Sequence, residues 1–357
     1  MSKRDQDLPG RSEPVWLRAV DAGIPPAIND THPEIESTER LTRPVLLREA
    51  PRAPGVSELW FDDDFNELEL RYEPREQILW YFMRPRQRQS FTIGLLRDIR
   101  RLQERIRELF IAADPAQRPR LRYLVLASAS SDTFNLGGDL SLLSHLIRTQ
   151  DRGQLESYAR ACIDVLYPNA VALDVPIVTV SLVQGHALGG GFEAAMSSNV
   201  VIAEETAKFG LPEVLFNLFP GMGALSFLTR RIGMVAAERM VFSGRIYSAE
   251  ELHAMGVVDV VAEDGQGEMA VQDYIARMDR GFATRLAVYG SRQTIHPVTR
   301  EELMQITERW VDAAIALAPT DIRKMERLAS AQDRRWAAIA QQQRATQSAE
   351  AAAIATA

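Results

Sequence analysis

Two glycine-rich junctions constrain the fold more than any other feature of this chain. Leu121–Ala127 (LRYLVLA) leads through a polar turn into FNLGGDL, residues Phe134–Leu140. Val175–Val183 (VPIVTVSLV) leads into QGHALGGGFE, residues Gln184–Glu193. Short, nearly continuous apolar runs read as strands buried on both faces. A helical pattern follows each junction, and Val200–Ala203 (VVIA) reads as a third strand. Strand, helix, strand at this spacing requires crossover connections, so the expected class is α/β with a mostly parallel sheet. Adjacent parallel strands set their C-terminal ends side by side, where open α/β sheets take ligands. Glycines there let backbone N–H groups approach a ligand closely.

The flanking segments read differently. Residues 1–55 hold eight of the 18 prolines and little apolar periodicity, so we expect a partly disordered arm. Ser57–Glu73 and Gln77–Phe82 read as antiparallel strands joined at Glu73-Pro74-Arg75. Ile93, Leu96, Ile99, Leu102, Ile106 and Leu109 recur at helical spacing. From Thr299 the pattern is purely helical, with Leu303, Ile306, Trp310, Ala314 and Leu317 on one face. The expected organisation is an arm (1–55), a core (56–298), a helical region (299–345) and a disordered tail (346–357).

Bulk properties narrow the function. The net charge of −7 argues against a nucleic-acid partner. Cys162 is the single cysteine, which excludes an intrachain disulfide and a cysteine-rich metal site. His32, His145, His186, His253 and His296 lack metal-ligand spacing, so no metal is expected. No run approaches the roughly 18 apolar residues of a membrane span. The start lacks the apolar core of a signal peptide, so a cytoplasmic protein is expected.

Two carboxylates stand out. Glu193 falls in the first helical turn after three glycines. Glu213 follows Pro212 among Leu211, Val214, Leu215 and Phe216, an apolar setting that raises a carboxyl pKa. Taken singly, each also reads as an ordinary first-turn glutamate. As a pair with shifted pKa values, they read as acid/base partners.

Four segments occur in order: FNLGGDL, QGHALGGGFEAAMSSNVVIAEETAKFG, LPEVLFNLFPGMGA and MVFSGRIYSAEELHAMGVVDVV. Together they resemble the enoyl-CoA hydratase/isomerase family, the crotonases, over roughly residues 57–340. With the late ITERWVD, the wording is most similar to the bacterial synthases of diffusible signal factor, which make cis-2-unsaturated fatty-acid quorum signals. Ordinary hydratases usually carry Ala-Gly-Ala-Asp where this chain has Leu136-Gly137-Gly138-Asp139.

The resemblance implies a crotonase (ClpP-like) spiral of ββα units, two near-perpendicular sheets and a C-terminal helical region. Carried over by position, it places backbone oxyanion donors at Leu136 and Gly190 and the acid/base pair at Glu193 and Glu213. It gives an acyl pocket at Gly137, Leu188, Gly189, Met222 and Trp310. The implied activity is dehydration of a 3-hydroxyacyl thioester to a cis-2-enoyl thioester, then thioesterase release of the free acid. It implies no metal or redox cofactor. The implied partners are an acyl-carrier protein or acyl-CoA, a sensor kinase, and further copies of the chain as a trimer or hexamer. Arg84, Arg86, Arg88, Arg97, Arg100 and Arg101 form the densest basic run, read either as a docking surface for an anionic carrier or as a solvated face. Two alternatives stay open: an ordinary enoyl-CoA hydratase/isomerase, and a crotonase-fold binding or regulatory protein without turnover.

Overall fold

The computed structural model describes residues 65–334 apart from 87 and 113–117. The expected arm and tail, and residues 335–345 of the expected helical region, lie outside the described residues. Strand β1 (Leu68–Glu73) pairs antiparallel with β2 (Ile78–Met83), through a turn that begins at Pro74. Every residue of β2 is buried, as its ILWYFM run dictates. Helix α1 (Ile93–Ala112) buries Leu95, Leu96, Ile99, Leu102, Ile106 and Phe110. The expected stripe is thus shifted by part of a turn, and Ile93 at the helix start is exposed.

Strands β3 (Tyr123–Ser128), β5 (Val178–Val183), β7 (Val200–Glu204) and β10 (Val260–Ala262) continue the main sheet in parallel. Its order is β1-β2-β3-β5-β7-β10. The sheet is covered on both faces. One face packs on the large core, and the other presents Trp80, Tyr123, Val125, Val178, Val180 and Ile202 to helix α8 (Gly267–Met278). Burial on both faces is the reason these strands read as unbroken apolar runs.

A second sheet has the order β4 (Thr133–Asn135), β6 (His186–Leu188), β8 (Lys208–Gly210) and β9 (Ile246–Ser248). Three-residue strands carry no readable period and leave no trace in the sequence pattern. They organise the chain nonetheless. Each of β3, β5 and β7 leaves the main sheet by a turn and places the next strand in the second sheet. Helices α2 (Leu140–Arg148) and α3 (Arg152–Ala170) follow β4, and α4 (Gly190–Met196) follows β6. After β8 come a 3-10 turn (Pro212–Phe216) and helices α5 (Ala224–Ile232) and α6 (Met234–Ser243). The repeat is therefore strand, strand, helix, wound as a spiral.

The C-terminal part is helical, as expected. Helix α7 (Ala249–Ala254) starts at a Ser248/Glu251 capping box. Helix α9 (Phe282–Ile295) leads to α10 (Arg300–Ile315), whose first turn is capped by the Thr299 hydroxyl. Leu303, Met304, Trp310, Val311 and Ala314 form the buried stripe of α10. A last helix spans residues 319–334. No helix among the described residues is long and apolar enough to cross a membrane.

Candidate active site

Both glycine junctions open onto one cavity of about 740 Å³, mouth included. The first junction is built from Asn135 onward. The Leu136 N–H donates to the Gln89 carbonyl at 2.7 Å, and the Gly137 N–H donates to Asn135 Oδ1 at 2.8 Å. Gly137 has φ +91°, a conformation that only glycine adopts readily. Asp139 then caps α2, accepting from the N–H groups of Ser141 and Leu142 at 3.1 Å each. The Gly138 N–H, between these tied positions, donates to no protein acceptor among the described residues.

The second junction turns at Gly189, where φ is +51°. The Gly189 N–H donates to Gly210 O at 2.8 Å. The next N–H, of Gly190, opens α4 and has no acceptor within the helix. The two turns touch: a Cβ on Gly137 would sit 2.8 Å from Gly190 N. Gly138 and Gly190 both line the cavity.

These bonds correct the expected oxyanion donor. Leu136 lines the cavity, but its N–H is held by the Gln89 carbonyl and is not available to a ligand. The available donor of that junction is Gly138. Of the five residues named for the acyl pocket, Gly189, Met222 and Trp310 line this cavity, and Gly137 and Leu188 do not. Gly137 packs against the second turn, and the Leu188 side chain lies toward Gly210.

Glu193 stands in the first turn of α4 and is 2% exposed. Its Oε1 accepts from the N–H groups of Met222 and Ala224, at 2.9 Å each. Burial pushes its pKa up, and these two hydrogen bonds only partly oppose the rise. Glu213 follows Pro212 in the 3-10 turn. Its Oε2 is buried without a partner. Burial raises its pKa strongly, and the nearby Glu193 raises it further. The two carboxyls therefore resist joint ionisation.

The other walls come from distant segments. Helix α1 supplies Leu96, with Phe91 just before it. Helix α2 supplies Leu140 and Leu143, and α3 supplies Tyr158, Cys162, Val165 and Leu166. The last helix supplies Met325, Leu328 and Gln332. Trp310 packs directly on Gly221, where any added Cβ would overlap the tryptophan side chain. Thr307 holds the same loop by donating to Gly221 O at 3.0 Å. Apart from Trp310, which the resemblance had placed in the pocket, these wall residues carried no local sign in the sequence. Among the described residues, no group of three or more His, Cys, Asp or Glu side chains is placed to hold a metal ion.

The arginine run is dispersed. Arg88 bridges Asp139 and Asp333, at 2.8 Å to each. Arg100 pairs with Glu104 at 2.7 Å, and Arg84 lies 3.7 Å from Glu69. Much of its charge is thus engaged within the fold.

Fold and site together define a chain that sets backbone donors and buried carboxyls around an apolar chamber. It belongs to the enoyl-CoA hydratase/isomerase family, whose family model matches residues 102–290. A probable enoyl-CoA hydratase of Mycobacterium avium is 37% identical over 159 residues, covering 44% of this chain and 59% of that protein. The mitochondrial methylglutaconyl-CoA hydratase of Rattus norvegicus is 28% identical over 217 residues, covering 61% and 64%. The matched segment thus spans less than two thirds of either relative. The crystal structure of an enoyl-CoA hydratase from Bacillus halodurans shares the fold at TM-score 0.58 and 21% identity, covering 73% of this chain and 98% of that one. The expected crotonase-type α/β fold is the observed one.

Proposed function

We propose that this chain acts on acyl thioesters, moving a proton at the α-carbon while two N–H groups hold the carbonyl oxygen. One observation carries the reading: the buried Glu193–Glu213 pair shares an apolar cavity with the free N–H groups of Gly138 and Gly190. Removing an α-proton beside a thioester gathers charge on oxygen. Each preorganised donor aimed at that oxygen lowers such a barrier by about 2.7–4 kcal/mol.

The carboxyl pair holds one proton near neutrality, because burial and mutual repulsion oppose a second charge. With the proton on Glu193, ionised Glu213 takes the α-proton of a 3-hydroxyacyl chain. Glu193 then protonates the departing hydroxyl, which leaves as water. These steps use only the chain's own groups and need no metal or redox cofactor.

The finer reading is a diffusible signal factor synthase working on acyl-carrier protein. After dehydration, water attacks the thioester carbonyl at the same two donors, freeing the cis-2-unsaturated acid and the carrier thiol. The segments quoted above and the apolar chamber, which suits a fatty chain, support it. A second reading is an ordinary enoyl-CoA hydratase. The Met222 and Ala224 N–H groups favour an ionised Glu193 and leave the shared proton on Glu213. That is the starting state for adding water to a 2-enoyl chain.

The deciding assay supplies purified protein with a 3-hydroxyacyl-carrier protein or a trans-2-enoyl-CoA and follows products by mass spectrometry. Free cis-2-enoic acid, absent with Glu193→Ala and Glu213→Ala, is the synthase outcome. Fast hydration without free acid is the hydratase outcome. No turnover of either substrate would leave only the reading as a binding protein.

A further inference from the structure

Helix α3 carries a buried tyrosine that the acid/base scheme does not use. The Tyr158 hydroxyl donates to the Phe91 carbonyl at 2.7 Å and accepts from the Asp139 N–H at 3.0 Å. The Phe91 N–H in turn donates to Gly137 O at 2.8 Å. These bonds close a ring around the first glycine junction: Phe91, Tyr158, Asp139 and the Gly137–Gly138 peptide. Phe91 and Gly138 form an isolated parallel bridge, and the tyrosine hydroxyl supports its second rung.

The carbonyl and N–H of one trans peptide point in opposite directions. Fixing Gly137 O on Phe91 therefore turns the Gly138 N–H to the other side, where Gly190 lies. A Cβ built on Gly190 would be 3.6 Å from Gly138 N. Both neighbours of that N–H are tied down, Gly137 by Asn135 and Asp139 by Tyr158. The Gly138 N–H is left untied and aimed.

We infer that Tyr158 is a positioning residue: its hydroxyl links Phe91 to Asp139 and so holds the Gly138 N–H on the thioester oxygen. Burial keeps the phenol well above its usual pKa, so it remains protonated and serves as a fixed donor and acceptor. The inference rests on the acyl-thioester reading above and names what aims one of its two donors.

The test uses Tyr158→Phe, with Tyr81→Phe as the control. Tyr81 is also buried, with its hydroxyl 3.4 Å from Asn169 Oδ1, outside the cavity. The direct readout is the carbonyl stretch of bound crotonyl-CoA by difference infrared spectroscopy. In the wild-type protein the two donors shift it to lower frequency. Tyr158→Phe loses much of that shift, and Tyr81→Phe keeps it. Turnover of the active thioester falls between about 10- and 100-fold in kcat for Tyr158→Phe. KM and the shape of the pH profile stay the same. A wild-type shift fully retained in Tyr158→Phe would overturn the positioning role and leave the thioester reading standing. Loss of one limb of the pH profile would overturn it too, because the phenol would then be moving a proton. No shift in the wild-type protein would remove the thioester reading, and the positioning role with it.

Discussion

At the scale of single residues, the carboxyl pair makes the sharpest predictions. Glu193→Gln and Glu213→Gln each lower kcat by roughly 10²–10⁴-fold, the usual weight of a positioned acid or base. The double variant falls little further, because the two act as one unit. The one-proton state of the pair is bounded on both sides, so kcat/KM follows a bell in pH. Its alkaline limb lies above the ordinary carboxylate range, since burial raises both groups. A flat profile through neutrality would contradict this. The same shift links to stability. The folded pKa of Glu213 exceeds its unfolded value, so its contribution is fully present below the unfolded pKa. That contribution is lost as pH rises through the folded value. Glu213→Gln should therefore raise Tm at mildly alkaline pH, with a gain that vanishes in acid. Calorimetry across pH checks it, and an equal gain at every pH would refute the linkage.

At the scale of elements, the junctions between strand and helix hold the candidate site. Asp139 caps α2 through two N–H groups and also meets Arg88. Asp139→Ala should cost about 1–2 kcal/mol of stability, most of it from the cap. Urea unfolding with an unchanged m-value measures it, and a midpoint identical to wild type would deny the cap its weight. Gly189 is constrained twice. Its φ of +51° disfavours a side chain, and a Cβ there would sit 2.5 Å from Glu213 Oε1. Gly189→Ala should fold with reduced stability and lose far more activity than stability, because the added carbon displaces Glu213. Kinetics paired with a melting curve separate the two effects.

At the scale of the whole molecule, the cavity is a property of the spiral rather than of any one segment. Helices α1, α2, α3 and α10, the last helix and both glycine turns each contribute part of its wall. Under the proposed function, an acyl chain entering it would meet Leu96, Leu166, Phe216 and Met325 from four separate stretches. Leu166→Trp, which fills part of this space, should move the preference toward shorter acyl thioesters with the carboxyl chemistry intact. Comparing kcat/KM across chain lengths tests this. An unchanged preference would place the acyl chain elsewhere.

The sequence alone determined the parts that depend on neighbours along the chain. Runs such as LRYLVLA and VPIVTVSLV specify strands buried on both faces, and their spacing specifies parallel crossovers. Glycine and aspartate at the junctions specify the turns and the α2 cap. Glu193 and Glu213 were visible only together: each alone reads as an ordinary first-turn glutamate, and the order and spacing of their segments set them apart as a pair. Tertiary structure decided the rest. The N–H of Leu136 is engaged because Gln89, from a distant segment, lies 2.7 Å away. That contact moves the free donor to Gly138, and no pattern around FNLGGDL reveals it. Tyr158 and the last helix likewise reach the site only once the spiral closes. An N–H is a usable donor only when the folded chain leaves it without an acceptor, and that depends on which distant groups arrive beside it.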